Sequence, residues 1–295
     1  MRRVASAKTR TRTRGAALLL VLWLIALLTA LVGAFALTAR IEHMQGRVLH
    51  RGVAGDQAAR AGLEYAMARL SDPNPATRWL PDGRDYAWTF AGAPLRVRIV
   101  DESGKVDLNA ADQPLLSALL RVAGADPGQA EALAGAIMDW RDADDLGQPQ
   151  GATEDPQYTA AGLPYGAKDA PFESVAELEL VLGMTADLYA GLAEHVTVHS
   201  GQAVPDQRFA GAEVLQAMGV DAAPFLAQRG ETPGPELEPD LVGGGTGTYS
   251  IDSRARLPDG RDAVLQAVVR MGSNGLPGAV YTPLRWKEGT SAPDG

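Results

Sequence analysis

The sequence predicts an α+β fold: a long N-terminal helix packed on an antiparallel sheet, with a large all-helical domain inserted between the strands. Three observations predict it. An uncharged, almost wholly apolar run fills the 25 positions between Arg14 and Arg40, and helical spacing continues beyond it. Period-two alternation occurs in two separate places, near residues 85–100 and 249–271, each time around a tight turn, which is the mark of antiparallel hairpins. Between them lie over 100 residues with helical signals only.

The apolar run is long enough to cross a hydrocarbon core of about 30 Å as a helix. Arg2, Arg3, Lys8, Arg10, Arg12 and Arg14 precede it without a single acid, and such a cluster stays on the cytoplasmic side. The expectation is a single-pass protein with a cytoplasmic N-terminus and an exported remainder. A cleaved secretory signal is the competing reading, because Ala34-Phe35-Ala36 offers a small-x-small site. Its apolar core, however, exceeds the usual length of about 7–15 residues.

Charge narrows the partners. The 295 residues carry a formal charge of -9, but without the six leading cations 21 basic residues face 36 acidic ones, a net of -15. Such a part repels nucleic acid and anionic headgroups and favours divalent cations and basic surfaces. There is no cysteine, so an exported head must rely on its core, a bound metal or assembly with other subunits.

Beyond Arg40, Ile41, Met44, Val48, Ala58, Ala61, Leu63 and Met67 keep helical spacing up to the breaker cluster Ser71-Asp72-Pro73-Asn74-Pro75. Gly46, Gly52, Gly55 and Gly62 each cost about 1 kcal/mol relative to Ala, which is expected to loosen the helix between Gly46 and Gly55. His43 and His50 lie seven apart on it, placed for a metal or switch role or simply exposed. Strands follow at Asp85–Phe90 and Pro94–Val100, joined across Ala91-Gly92-Ala93, and Lys105-Val106-Asp107-Leu108 extends the pattern.

Helices are expected from Ala111-Asp112-Gln113-Pro114 to Gly124, from Asp126-Pro127 to Trp140, from Ser174 to Leu182, from Thr185 to about His195, and from Ala212 to Met218. Ser174 and Glu177 have capping-box spacing. After the linker Glu231–Glu236 and Gly243-Gly244-Gly245, Tyr249–Arg256 and Ala263–Met271 form a second hairpin through Leu257-Pro258-Asp259-Gly260. Val280–Trp286 adds an edge strand, since Pro283 cannot donate to a ladder.

The junction Arg14-Gly15-Ala16 resembles the class III signal of type IV pilins and type II secretion pseudopilins. The resemblance implies that a prepilin peptidase cuts between Gly15 and Ala16, on the cytoplasmic side. Most of that family carries Glu at the fifth mature position, where this chain has Leu20. An unpaired carboxylate in lipid is costly, and in the family the absence marks minor pseudopilin K, a tip subunit. Val106-Asp107-Leu108-Asn109-Ala110-Ala111, Ala136–Asp144, Pro171–Leu178 and Leu182-Gly183-Met184-Thr185 are similar, in that order, to minor pseudopilin K.

That resemblance implies an inner-membrane protein with a periplasmic head and a pilin-like fold. Its implied divisions are a leader (1–15), a transmembrane helix (16–39), pilin-like helix and first strands (40–108), inserted helical domain (109–230), linker (231–247), last strands (248–288) and tail (289–295). It further implies assembly with minor pseudopilins I and J, and contacts with major pseudopilin G, the secretin or secreted substrate, in exporting folded proteins across the outer membrane.

One cluster invites chemistry. Asp139, Asp142, Asp144, Asp145, Glu154 and Asp155 set six acids around the single Arg141. Hard oxygen ligands on a Gly-containing loop suit calcium, and the resemblance points the same way. The candidate ligands are Asp142, Asp144, Asp145, Glu154 and Asp155; the plain reading is a solvated loop with Asp139 capping or pairing to Arg141. Paired carboxylates also serve hydrolases, which leaves an anchored metal-dependent hydrolase as an alternative. No Ser-His-Asp pattern, HExxH or P-loop supports an enzyme.

A DNA- or surface-binding protein of a type IV pilus or competence system is the other alternative. Val106–Gly124 is partly echoed by Val196–Gly219, and Leu178–Thr185 has the flavour of a helix-hairpin-helix. The abundance of acids argues against phosphate contacts. A compact packing unit is the expected meaning, with no nucleic-acid partner.

Overall fold

The computed structural model describes residues 14–143, 155–230, 245–272 and 280–291. It divides into two compact units, Met1–Ala54 and Gly55–Gly295. The first helix, α1 (Arg14–Leu70), contributes to both.

In the first unit, Leu18–Thr38 has a mean hydropathy of 2.8 over 21 residues and none of it is buried. That length and composition allow it to cross a membrane. The hydroxyls of Thr29 and Thr38 donate to the carbonyls of Ile25 (2.5 Å) and Ala34 (3.0 Å) one turn back. Both polar groups are therefore satisfied within the helix, as a lipid environment demands. The side chains of His43 and His50 lie outside the described residues.

The second unit begins with the end of α1. Its later elements are β1 (Asp82–Phe90), β2 (Ala93–Asp101), a 3-10 turn (Glu102–Gly104), β3 (Val106–Asp107), α2 (Gln113–Val122), α3 (Pro127–Arg141) and α4 (Asp155–Ala160). Then come a 3-10 helix (Val175–Leu180), α5 (Ala186–Leu192), β4 (Val196–Thr197), α6 (Ala212–Ala217), α7 (Ala222–Gly230), β5 (Thr248–Arg256), β6 (Asp262–Met271) and β7 (Tyr281–Ser291).

Five strands form one antiparallel sheet in the order β1-β2-β5-β6-β7. The β1–β2 turn places Ala91 and Gly92 at φ 49° and 83°, the left-handed pair that a two-residue hairpin needs. Leu95, Val97, Ile99, Ile251 and Leu265 face inward and bury against Leu63 and Met67 of α1. Tyr65 stacks on Trp88 at 4.2 Å and meets Trp79 edge-on at 5.3 Å, tying the helix end to β1.

The loosening expected between Gly46 and Gly55 is absent, because α1 is helical throughout. Helix propagation is cooperative, so isolated glycines inside a long helix are tolerated. Two of them serve packing. A Cβ on Gly62 would stand 2.2 Å from Ser253 Oγ and 2.9 Å from Leu95 Cδ2, and one on Gly55 2.5 Å from Leu257 Cδ2. The helix touches the sheet where it has no side chain.

Strands β2 and β5 pair from Leu95↔Ala255 to Asp101↔Tyr249, although the whole helical region separates them in sequence. That region has its own core, which includes Leu116, Leu120, Ile137, Trp140, Leu178 and Leu215. Parallel pairing of Val106 with Val196 and Asp107 with Thr197 closes it. The two segments that echo each other in sequence thus lie side by side, and α2 and α6 are followed by Gly124 and Gly219 at φ 104° and 72°. Leu178 and Val181, in the segment with helix-hairpin-helix flavour, are buried in the same core.

Other expectations change in detail. The segment from Ser174 is a short 3-10 helix, although its capping box is present: Ser174 Oγ accepts from Ala176 N–H (3.1 Å) and Glu177 Oε1 from Ser174 N–H (3.0 Å). Helix α5 stops at Leu192, and β7 runs on to Ser291. Strand β4 and helices α4 and α7 have no counterpart in the sequence reading, being too short for a clear period.

Candidate functional site

The Val106–Ala111 motif is the point from which the insertion is hung. Asp107 is 1% exposed. Its Oδ1 accepts from Asn109 N–H at 2.8 Å; its Oδ2 accepts from Ser200 Oγ at 3.0 Å and Gly201 N–H at 2.7 Å. Asn109 makes a two-way clasp, with Nδ2 donating to Phe172 O (2.9 Å) and Oδ1 accepting from Phe172 N–H (2.7 Å). Irregular loops have no ladder partners, so side chains must satisfy their buried backbone groups.

Arg141, at the end of α3, completes this clasp by donating to Leu108 O and, at 2.7 Å, to Ala111 O. Burial lowers its pKa, against the pull of Asp107, Asp142 and Asp112. Asp139, in the last turn of α3, is fully buried. Trp140 packs beside Tyr158 and Phe172 at 6.1 and 6.2 Å between centroids.

A second polar group joins the insertion to the sheet. Glu102 is 1% exposed; its Oε1 accepts from Lys105 Nζ (2.6 Å) and Ser250 Oγ (2.5 Å), and its Oε2 accepts from Thr197 Oγ1. Burial is the largest influence and works to raise its pKa, but Lys105 and the two hydroxyls outweigh it and hold the carboxyl low. Neighbouring Asp101 accepts from Ser103 N–H (2.9 Å) and Ser103 Oγ (2.7 Å), yet burial still pushes its carboxyl up. A Cβ on Gly104 would stand 2.5 Å from the Phe209 carbonyl, so the turn and the 209–210 backbone meet without room for a side chain.

A cleft of about 510 Å³ lies beside this seam, lined by Arg84, Arg98, Lys105, His195, Glu213 and Arg229 among others. Its cations are already engaged. Arg84 holds Asp82 (2.7 Å), Arg98 holds Asp85 (2.9 Å) and Lys105 holds Glu102; Arg229 donates to the carbonyls of Arg208 (3.0 Å) and Ala210 (2.7 Å). The arrangement is built to hold parts of the chain together.

Of the proposed calcium ligands, Asp142 follows α3 directly, its N–H donating to Met138 O at 3.1 Å. Asp144, Asp145 and Glu154 lie outside the described residues, as does the side chain of Asp155, which opens α4. Among the described residues no group of three or more His, Asp or Glu is placed to hold a metal. Gly15 and Ala16 fall in the first turn of α1, and Leu20 is 71% exposed on its apolar stretch. Asp107 and Asn109 were legible only as part of a motif; Glu102 and Lys105 carried no sequence signal beyond their charge.

An antiparallel sheet with a helix along it and a helical domain spliced between neighbouring strands, behind an apolar N-terminal helix, defines a pilin-like α+β fold. The family model described as type II secretion system (T2SS), protein K matches residues 97–201, from β2 through the Asp107 clasp. Type II secretion system protein K of Klebsiella pneumoniae is 31% identical over 207 residues, 63% of this chain and 62% of that one. Its counterpart in Pectobacterium carotovorum subsp. carotovorum is 27% identical over 216 residues, 63% of each chain.

The chain thus spans 63% or less of the length of these two relatives. Among solved structures, the GspK-GspI-GspJ complex from the enterotoxigenic Escherichia coli type 2 secretion system contains a chain with the same fold. The TM-score is 0.54 at 17% identity, covering 86% of this chain and 99% of that one. Over residues 97–201 the chain is similar to the type II secretion system protein K family.

Proposed function

We propose that this chain is a non-enzymatic minor pseudopilin that caps the tip of a periplasmic pseudopilus and aids the export of folded proteins across the outer membrane. The observation that carries this reading is the insertion spliced between β2 and β5. A second folded core hung on the side of a pilin-type sheet would obstruct a subunit repeated along a slim fibre, whereas a terminal position leaves it free. Leu20 supports the same place, since the first stretch of α1 offers no carboxylate to a following subunit.

The exposed apolar stretch Leu18–Thr38 would anchor the chain in the inner membrane, its basic leader cytoplasmic and its head periplasmic. A prepilin peptidase would cut between Gly15 and Ala16. Partners are the minor pseudopilins I and J, by analogy with the similar GspK-GspI-GspJ complex, with major pseudopilin G, secretin and secreted substrate further along the path. Calcium would be held by Asp142, Asp144, Asp145, Glu154 and Asp155, since a set of carboxylates fits a hard cation.

The test is the mass of the mature N-terminus after expression with and without prepilin peptidase, followed by co-purification with I and J. A new terminus at Ala16 that requires the peptidase, together with a stable complex, is the expected result. Cleavage near Ala36 or an intact leader overturns the reading.

A further inference from the structure

The outward face of the sheet has a covered and an open half. At one end the insertion lies over it: Val268 points outward yet is 3% exposed, and Ser250 on the same face bonds Glu102. At the other end Arg96, Arg98, Arg256 and Lys287 are exposed. Alternation with the inward-facing Leu95, Val97 and Ala255 puts Arg96 and Arg98 of β2, and Arg254 and Arg256 of β5, on this open half. Lys287 of β7 joins them opposite Gln266.

Three carboxylates on the strands share this half-face, and each already holds an arginine: Asp85 with Arg98 at 2.9 Å, Asp252 with Arg254 at 2.8 Å, and Asp262 with Arg256 at 3.1 Å. Arg96 and Lys287 have no carboxylate within ion-pair distance among the described residues. The register even sets Arg96 directly opposite Arg254, a like-charge pair that costs stability. Between Arg254 and Lys287 runs a groove of about 220 Å³ over Val264 and the bare backbone of Gly289.

We propose that this open half-face docks an acidic segment of a partner protein, which lays carboxylates on Arg96 and Lys287 across the groove. The exported chain is otherwise strongly acidic, so here an acidic partner meets attraction in place of repulsion. The interleaved Asp85, Asp252 and Asp262 select a polypeptide. A uniformly anionic surface would meet them as well, whereas a peptide can space its carboxylates to reach the two unmatched cations. The inference rests on β2, β5, β6 and β7 alone and is independent of tip capping.

The test uses the full chain in phosphatidylcholine nanodiscs and a fluorescent peptide of alternating Glu and Gly, followed by anisotropy at low salt and at about 0.15 M, where the Debye length is about 8 Å. Expected are saturable, salt-weakened binding, a loss of about tenfold or more in R96A/K287A, and none in the distant surface variant R121A. The charge reversal R96E/K287E should bind the matching Lys-Gly peptide instead, which also shows that the sheet still folds. No saturable binding at low salt, equal loss in R121A, or no switch on charge reversal overturns the proposal. Displacement of the peptide by phosphatidylglycerol vesicles, with the same dependence on Arg96 and Lys287, overturns it in favour of a lipid surface.

Discussion

Where α1 meets the sheet, contact is made by leaving things out. Gly55 and Gly62 let the helix backbone come down onto Leu257, Leu95 and Ser253, and Ala58, Ala59 and Ala66 fill the rest. In the insertion, contact is made by adding polar reach: Asp107, Asn109 and Arg141 extend into loops at residues 108–111, 172 and 200–201 and satisfy their backbone groups. Regular elements bond their own backbones and need only shape to pack. Irregular ones must borrow partners, and each borrowed bond contributes about 0.5–1.5 kcal/mol net.

The seam between the two regions should be the most sensitive place. Lys105→Met leaves Glu102 buried without its cation and is expected to cost about 3–5 kcal/mol, read by chemical denaturation of the full chain in detergent. Adding Glu102→Gln should restore most of it. A loss without recovery would place the cost in packing and blur the distinction.

Gly62→Leu should cost about 1–3 kcal/mol by overpacking. Hydrogen exchange should then accelerate at the end of α1 and in β5, while α2 and α6 keep their protection. Asn109→Ala is its mirror, expected to cost about 1–2 kcal/mol and to speed exchange around residues 172–180 with the sheet unaffected. Equal acceleration in both regions for either variant would mean that they unfold as one.

The smallest effects are in pH. Glu102 is held below its ordinary 4.5 despite burial, so its stabilisation is present above that value and is lost as pH falls through its lower folded pKa. His199 is depressed below 6.5, chiefly by burial, with Arg270 and Arg285 adding and Glu102 and Asp107 opposing. Its contribution is likewise complete above 6.5 and declines below. Asp101, raised by burial, has the opposite sign and regains stability on acidification. A His199→Gln variant should flatten the decline that starts below pH 6.5, and Glu102→Gln the one below 4.5, both in thermal midpoints measured across pH.

Much of this was readable in advance for a simple reason. A hairpin is specified by neighbours in sequence, so the alternation of Pro94–Val100 and the turn at Ala91-Gly92 place β1 and β2 with little help from the rest. The capping box of Ser174 and Glu177 is equally local, and it appears as expected even though the helix it starts is a tight 3-10 segment. The acidic segment from Asp144 to Glu154 lies outside the described residues, and its use rests on its composition.

By itself the sequence determined the apolar N-terminal helix, the two hairpins, the helical stretch between them and the motif Val106-Asp107-Leu108-Asn109 that carries part of the resemblance to protein K. Each is a short-range pattern of polarity, turn residues or spacing. Only the tertiary structure decided that β2 and β5 are neighbours, that Gly55 and Gly62 are contact points and not weak spots, that Asp107 and Asn109 hold loops far along the chain, and that Arg96 faces Arg254. Those facts depend on residues brought together from distant parts of the chain, and no local period carries that information.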